Sequence, residues 1–105
     1  MMSKSSTTIE VIAPPIHPGE ILADEIAERG LSITRLARDL DVPTNRLTEI
    51  VAGRRGVTAD TALRLSLYLG TSARFWMNLQ ATYDLALARQ DRGELIVQRV
   101  RPAAA

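Results

Sequence analysis

Seven side chains within the segment 44–55 can pair with nucleobases or phosphates: Thr44, Asn45, Arg46, Thr48, Glu49, Arg54 and Arg55. Asparagine can make two hydrogen bonds to adenine and arginine two to guanine, while glutamate can accept from the amino group of cytosine. Threonine offers a hydroxyl for phosphates and sugars and a methyl for the thymine methyl. The guanidinium groups of Arg54 and Arg55 suit backbone phosphates. Such chemistry needs a scaffold that turns these residues outward together.

The stretch Ser32–Gly53 predicts that scaffold as two short helices and a tight turn. Ser32 is a candidate N-cap for a helix over Thr34–Leu40. Asp41 falls where the chain reverses and tolerates a left-handed backbone better than most residues. Pro43 has no N–H to lose and suits the start of a second helix, Thr44–Ala52, which Gly53 ends as the C′ residue. Leu36 and Leu40, then Leu47, Ile50 and Val51, recur at helical spacing, with Val42 in the turn and small Ala37 where the helices cross. Burying that stripe sends Asn45, Thr48, Glu49 and Ala52 outward, places Thr44 at the helix tip and leaves Arg46 at the edge. This is the packing pattern of a helix-turn-helix. The same pattern also fits an αα-hairpin with a solvated outer face, and Arg54–Arg55 a solvated loop.

Charge distribution favours the first reading. The net charge is only +1, but residues 29–55 hold six arginines against Asp39, Asp41 and Glu49, while residues 19–28 hold four acids and no Lys or Arg. A local basic face of this kind is hidden in the total. With 105 residues, 46% hydrophobic, the chain has material for one core. It has no cysteine and one histidine. No thiolate site or disulfide is available, which is compatible with a reducing cytoplasm. The first residues carry no secretory pattern, and no run has the length of a membrane span.

Around the hairpin, Pro14, Pro15 and Pro18 predict an extended entry loop containing His17. A first helix is expected over Gly19–Arg29, with Ile21, Leu22 and Ile26 buried and Gly30 at its end. Thr58 caps a helix over Ala59–Leu69, which Gly70 closes. Its leucines cover more than one face, so it is expected to sit centrally. Thr71 or Ser72 caps a fifth helix running to about Arg89, on which Phe75, Trp76, Leu79, Tyr83 and Leu87 recur. Part of that stripe is expected in the core and part at a subunit interface. Gly93 is expected to break the helix. Beyond it, Leu95–Val100 alternates as a candidate strand paired with Thr7–Ile12; continued helix and irregular structure are the alternatives, because an isolated two-stranded ribbon is marginal. The expected organisation is a flexible arm (1–15), an all-α five-helix domain (16–90) and a C-terminal extension (91–105).

Four blocks, HPGEIL (His17–Leu22), the hairpin, VTADTALRLSLYLGTS (Val57–Ser72) and FWMNLQATYDLALAR (Phe75–Arg89), resemble the HigA family of addiction-module antitoxins, within the lambda-repressor and Cro class. The resemblance covers roughly residues 16–90. It implies a homodimeric DNA-binding domain that represses its own operon and neutralises a HigB-type toxin, an mRNA endonuclease acting on translating ribosomes. By position it implies DNA reading by Thr44, Asn45, Arg46, Thr48 and Glu49, and phosphate contacts by Ser32, Thr34, Arg54 and Arg55. It assigns Trp76, Leu79, Tyr83 and Leu87 to core and dimer contacts. Two departures stand out: Ile33 where related motifs carry a phosphate-fixing Gln, and Asp41 where the turn usually has Gly.

The alternatives are a stand-alone dimeric regulator without a toxin, and a protein-interaction module that does not bind DNA. No cofactor or metal is expected. An enzyme is not expected either, since one His, no Cys and no glycine-rich phosphate loop assemble no catalytic constellation.

Overall fold

The computed structural model describes residues 14–104. The candidate strand Thr7–Ile12 and nearly all of the expected arm lie outside them. Five helices follow in order: α1 (Pro18–Glu28), α2 (Ile33–Leu40), α3 (Thr44–Val51), α4 (Ala59–Leu69) and α5 (Ala73–Arg99). No strand occurs among the described residues. None of their helices is long and apolar enough to cross a membrane.

Local chemistry sets the helix ends. The Ser32 hydroxyl accepts from the Arg35 N–H at 3.0 Å, satisfying one orphan donor of α2. Asp41 ends α2 in the left-handed region at φ 59° and ψ 50°. Pro43 precedes α3 in extended conformation, and Gly53 follows it at φ +79°. Thr58 and Ser72 cap α4 and α5 through their side chains.

His17 is more than a loop residue. Its Nδ1 accepts from the Gly19 N–H at 2.8 Å, while its own N–H donates to Glu20 Oε2 at 3.3 Å, so the two side chains cap α1 reciprocally. The imidazole is buried and meets the Tyr83 ring edge-on, with centroids 4.7 Å apart.

Leu22, Leu36, Leu47, Ile50, Ala62, Leu65 and Trp76 form the fully buried centre of the core. Burying a side chain of Leu or Ile size contributes about 1.5–3 kcal/mol. Gly19 lets α1 approach α3 closely: a Cβ at this position would overlap the Ile50 carbonyl. That contact, together with the packing of α2 against α3, fixes the orientation of α3.

Two expectations are corrected. Leu95–Val100 forms no strand, because α5 runs through Gly93 to Arg99. A single mid-helix glycine costs about 1 kcal/mol, too little to end a helix of good formers such as Leu85–Arg92. The distal half of α5 then stands clear of the globule, giving a radius of gyration of 17.1 Å, against about 13 Å for a compact chain of a hundred residues. The second correction concerns α4. It buries Thr61, Ala62, Leu65 and Leu69, while Leu63 and Leu67 face solvent, 58% and 88% exposed. Apolar residues on two faces do not reveal whether the same chain covers both.

Candidate nucleic-acid interface

α3 buries Leu47 and Ile50, and Val51 is half-buried beside them. Thr44, Asn45 and Ala52 are exposed on the outer side, and Thr48 and Glu49 are half-exposed. Asn45, Thr48, Glu49 and Ala52 follow one another at helical spacing, so they share a face. The Thr48 hydroxyl donates to the Asn45 carbonyl at 3.2 Å, a bond within the helix that a competing acceptor can replace.

The three arginines expected at this surface differ in their engagement. Arg46 donates from Nη1 to Asp60 Oδ2 at 2.8 Å, bridging α3 to the start of α4. Arg55 pairs with Glu49 at 2.7 Å, so Glu49 orients an arginine. Arg54 is exposed and makes no ion pair among the described residues. Ser32 and Thr34 line a shallow cleft of about 330 Å³ together with Gly30, Leu31, Arg35 and Arg38. Ile33, where a phosphate-fixing Gln is usual, packs against the core instead. A second cleft, of about 280 Å³, brings Arg46, Arg55 and Arg64 together around Asp60. The two guanidinium groups bonded to Asp60, Arg64 first and then Arg46, hold its carboxyl below the usual carboxylate range.

The aromatic block divides. Trp76 is fully buried and its Nε1–H donates to Thr71 Oγ1 at 2.8 Å, so it serves the core and leaves no surface for a partner. Leu79 packs half-buried against the core and Tyr83 lies against His17, while Leu87 is exposed.

The helix-turn-helix family HTH_3 matches residues 22–76, more than half of the chain. The structure of an addiction module antidote protein of the HigA family from Coxiella burnetii is similar at TM-score 0.82 and 48% identity, over 87% of this chain and 100% of that one. The chain belongs to the HigA family of helix-turn-helix proteins. Pseudomonas aeruginosa antitoxin HigA, solved with the higBA promoter, is 47% identical with TM-score 0.81, over 86% of this chain and 99% of that one. Virulence-associated protein I of Dichelobacter nodosus is 52% identical over 80 residues, 75% of this chain and 74% of its own length.

Three residues of this HigA-family chain that sequence reasoning missed hold the surface in place. Arg64 donates to the carbonyls of Leu40 and Asp41 at 2.8 and 3.1 Å, closing the C-terminus of α2 at the turn. Asp60 accepts from both Arg64 and Arg46. Gln80 of α5 accepts from the Val57 N–H at 2.7 Å and so anchors the end of the loop after α3. Asp60 and Arg64 stand four residues apart at a helix start, a local signal for an ion pair. No local signal marks Gln80. On the far side of α2, the Tyr68 hydroxyl donates to Asp39 at 3.0 Å, and that carboxylate pushes the tyrosine pKa up.

Proposed function

We propose that this protein is a sequence-specific DNA-binding antitoxin that represses its own operon and neutralises a HigB-type mRNA endonuclease toxin. The observation that carries the reading is the outer face of α3. Thr44, Asn45, Thr48 and Glu49 share one accessible surface, flanked by exposed arginines, while the opposite face of the helix is locked into the core. The Pseudomonas HigA solved with its promoter supports it at 47% identity. The toxin as partner rests on family membership.

In this reading α3 enters the major groove. Asn45 pairs with adenine, Thr44 and Thr48 contact phosphate, sugar or thymine methyl, and Glu49 accepts from cytosine or holds Arg55. Ser32, Thr34, Arg54 and Arg55 contact phosphates on either side. A single domain binds weakly, so the functional unit is a two-fold dimer reading half-sites about 34 Å apart. The dimer contact is assigned to α5, where Leu87 and the distal apolar residues lie open and Leu79 and Tyr83 support them from the globule.

The test is a footprint on the DNA upstream of the protein's own coding sequence, at two salt concentrations, with and without the product of the neighbouring gene. A protected two-fold site that weakens with salt is expected, and altered protection when the toxin is added. Asn45→Ala is expected to cost about 1–3 kcal/mol and relax one base position. Absence of any protected site at low salt refutes DNA binding and leaves a protein-interaction module. Protection with no response to the neighbouring product leaves a stand-alone regulator.

A further inference from the structure

The cleft between α3 and α4 holds an arrangement that the proposed function does not use. One oxygen of Asp60, Oδ2, accepts from Arg46 Nη1 at 2.8 Å and from Arg64 Nε at 2.9 Å. Arg64 reaches on from there to the Leu40 and Asp41 carbonyls. A single carboxylate oxygen therefore links the first turn of α3 to α4 and, through Arg64, to the α2–α3 turn. Arg46 leaves α3 at the edge of its outer face, and its side chain is 29% exposed, packed down towards α4. The direction matters. A guanidinium that reads guanine must lie in the groove with Asn45 and Thr48, and the bonded geometry points it sideways.

We propose that Asp60 decides the role of Arg46: by holding the guanidinium against the start of α4, it makes Arg46 a brace for the recognition helix and removes it from the residues that read bases. The inference rests on the reading that α3 faces DNA. Asp60 is a positioning residue that acts through Arg46. Two physical features favour it. The carboxylate is charged throughout the neutral range, since both guanidiniums stabilise its ionised form. A carboxylate in the first turn of α4 is also favoured by the helix dipole, so Asp60 has a reason to stay where it is. Both partners are partly exposed, so loss of the pair costs little by itself, and a changed base preference reads the position of Arg46 rather than a loss of folding.

The experiment is selection of randomised duplexes, with binding titrated at two salt concentrations, by wild type, Arg46→Ala, Asp60→Asn, Asp60→Ala and the double variant Arg46→Ala/Asp60→Asn. Asn keeps the side-chain size at the helix start, and Ala removes the acceptor altogether. Arg46→Ala is expected to keep the wild-type base preferences and to lose about two- to fivefold on every sequence alike, the scale of an exposed ion pair. Both Asp60 variants are expected to gain a guanine preference at one position per half-site, with a salt slope steeper by about one unit. The double variant is expected to lose that gain.

The inference is overturned if Arg46→Ala relaxes one base position with a loss of roughly ten- to a hundredfold, the scale of a guanine contact. It is overturned equally if both Asp60 variants select the wild-type sequences. A wild-type protein that selects no duplex fails differently: it overturns the DNA reading, and this inference with it.

Discussion

Gln80 in α5 and Val57, directly after the Arg54–Arg55–Gly56 turn, are joined by a 2.7 Å hydrogen bond from the Val57 N–H to Gln80 Oε1. The Gln80 amide nitrogen donates in turn to Asp84 at 2.9 Å, which fixes the orientation of the amide. Gly56 lies directly against the Gln80 side chain. The basic turn is therefore anchored on α5, outside the helix-turn-helix. Gln80→Ala leaves the Val57 N–H without a partner and is expected to cost about 1–3 kcal/mol. DNA binding should weaken on all sequences alike, with base preferences unchanged. Amide exchange at Val57 checks the cause: faster exchange in the variant supports the anchor, and an unchanged rate refutes it.

Arg54 and Arg55 are neighbours with different prospects. Arg55 is held by Glu49 at 2.7 Å, and Arg54 makes no ion pair among the described residues. Removing a phosphate contact flattens the salt dependence of binding by about one unit. Arg54→Ala is expected to show that change in full. Arg55→Ala is expected to show less, because its charge is already partly neutralised. Glu49→Gln should release Arg55 and steepen the dependence. Titrations from low to moderate salt measure all three, and equal slopes for the two arginine variants would count against this division.

What could be read in advance was what depends on neighbours in sequence. Ser32 as a cap, Asp41 in the left-handed region and Gly53 after α3 follow from backbone chemistry within a few residues, and the structure has all three. The inward stripe Leu36, Leu40, Leu47 and Ile50 was equally legible, because periodicity alone determines it. The misses have two causes. Gly93 predicts a break in α5, but the other residues of the helix outweigh its small propensity cost. The flanking prolines predict a loop at His17, while its capping role depends on Gly19, Glu20 and Tyr83 together. Arg46 lies at the edge of the outer face, where its spacing predicts it, but its bond to Asp60, fourteen residues on in a different helix, has no signal in that spacing. Side-chain partners across helices are set by packing, which a periodic pattern does not encode.

Gly19 gives a sharp test of how α3 is held. Its amide caps into His17, and the Ile50 carbonyl occupies the space a Cβ would need. The obstacle is backbone, so no side-chain rotation can relieve it. Gly19→Ala must push α1 and α3 apart and is expected to cost about 1–3 kcal/mol, the range of an overpacked core. For a domain of this size each kcal/mol lowers Tm by about 4–8 °C. DNA affinity should fall as well, because α3 moves relative to α2. Thermal unfolding followed by circular dichroism measures the first effect. An unchanged Tm would mean that the two helices are not in close contact in solution.

The distal half of α5 carries the remaining prediction. At 1.5 Å per residue the 27-residue helix is about 40 Å long, and its last three turns extend past the core. The face that begins with Trp76, Leu79 and Tyr83 continues at helical spacing through Ala86, Gln90, Gly93 and Val97 to the end of α5. Val97 is 79% exposed in the single chain, and Val100, in extended backbone just past the helix, is 61% exposed. Leu87 and Ile96 lie beside them and are also exposed. An amphipathic helix with its apolar side in water is poorly stabilised by propensity alone. A second copy would cover that side, and Gly93 would let two such helices cross closely. Val97→Glu, alone and with Leu87→Glu, places charge on this stripe without touching the core. Sedimentation is expected to show conversion of a dimer to a monomer, together with a loss of operator affinity from the missing second half-site. If the doubly substituted protein still sediments as a dimer, the contact lies elsewhere, and the exposed Leu63–Leu67 face of α4 becomes the next surface to substitute.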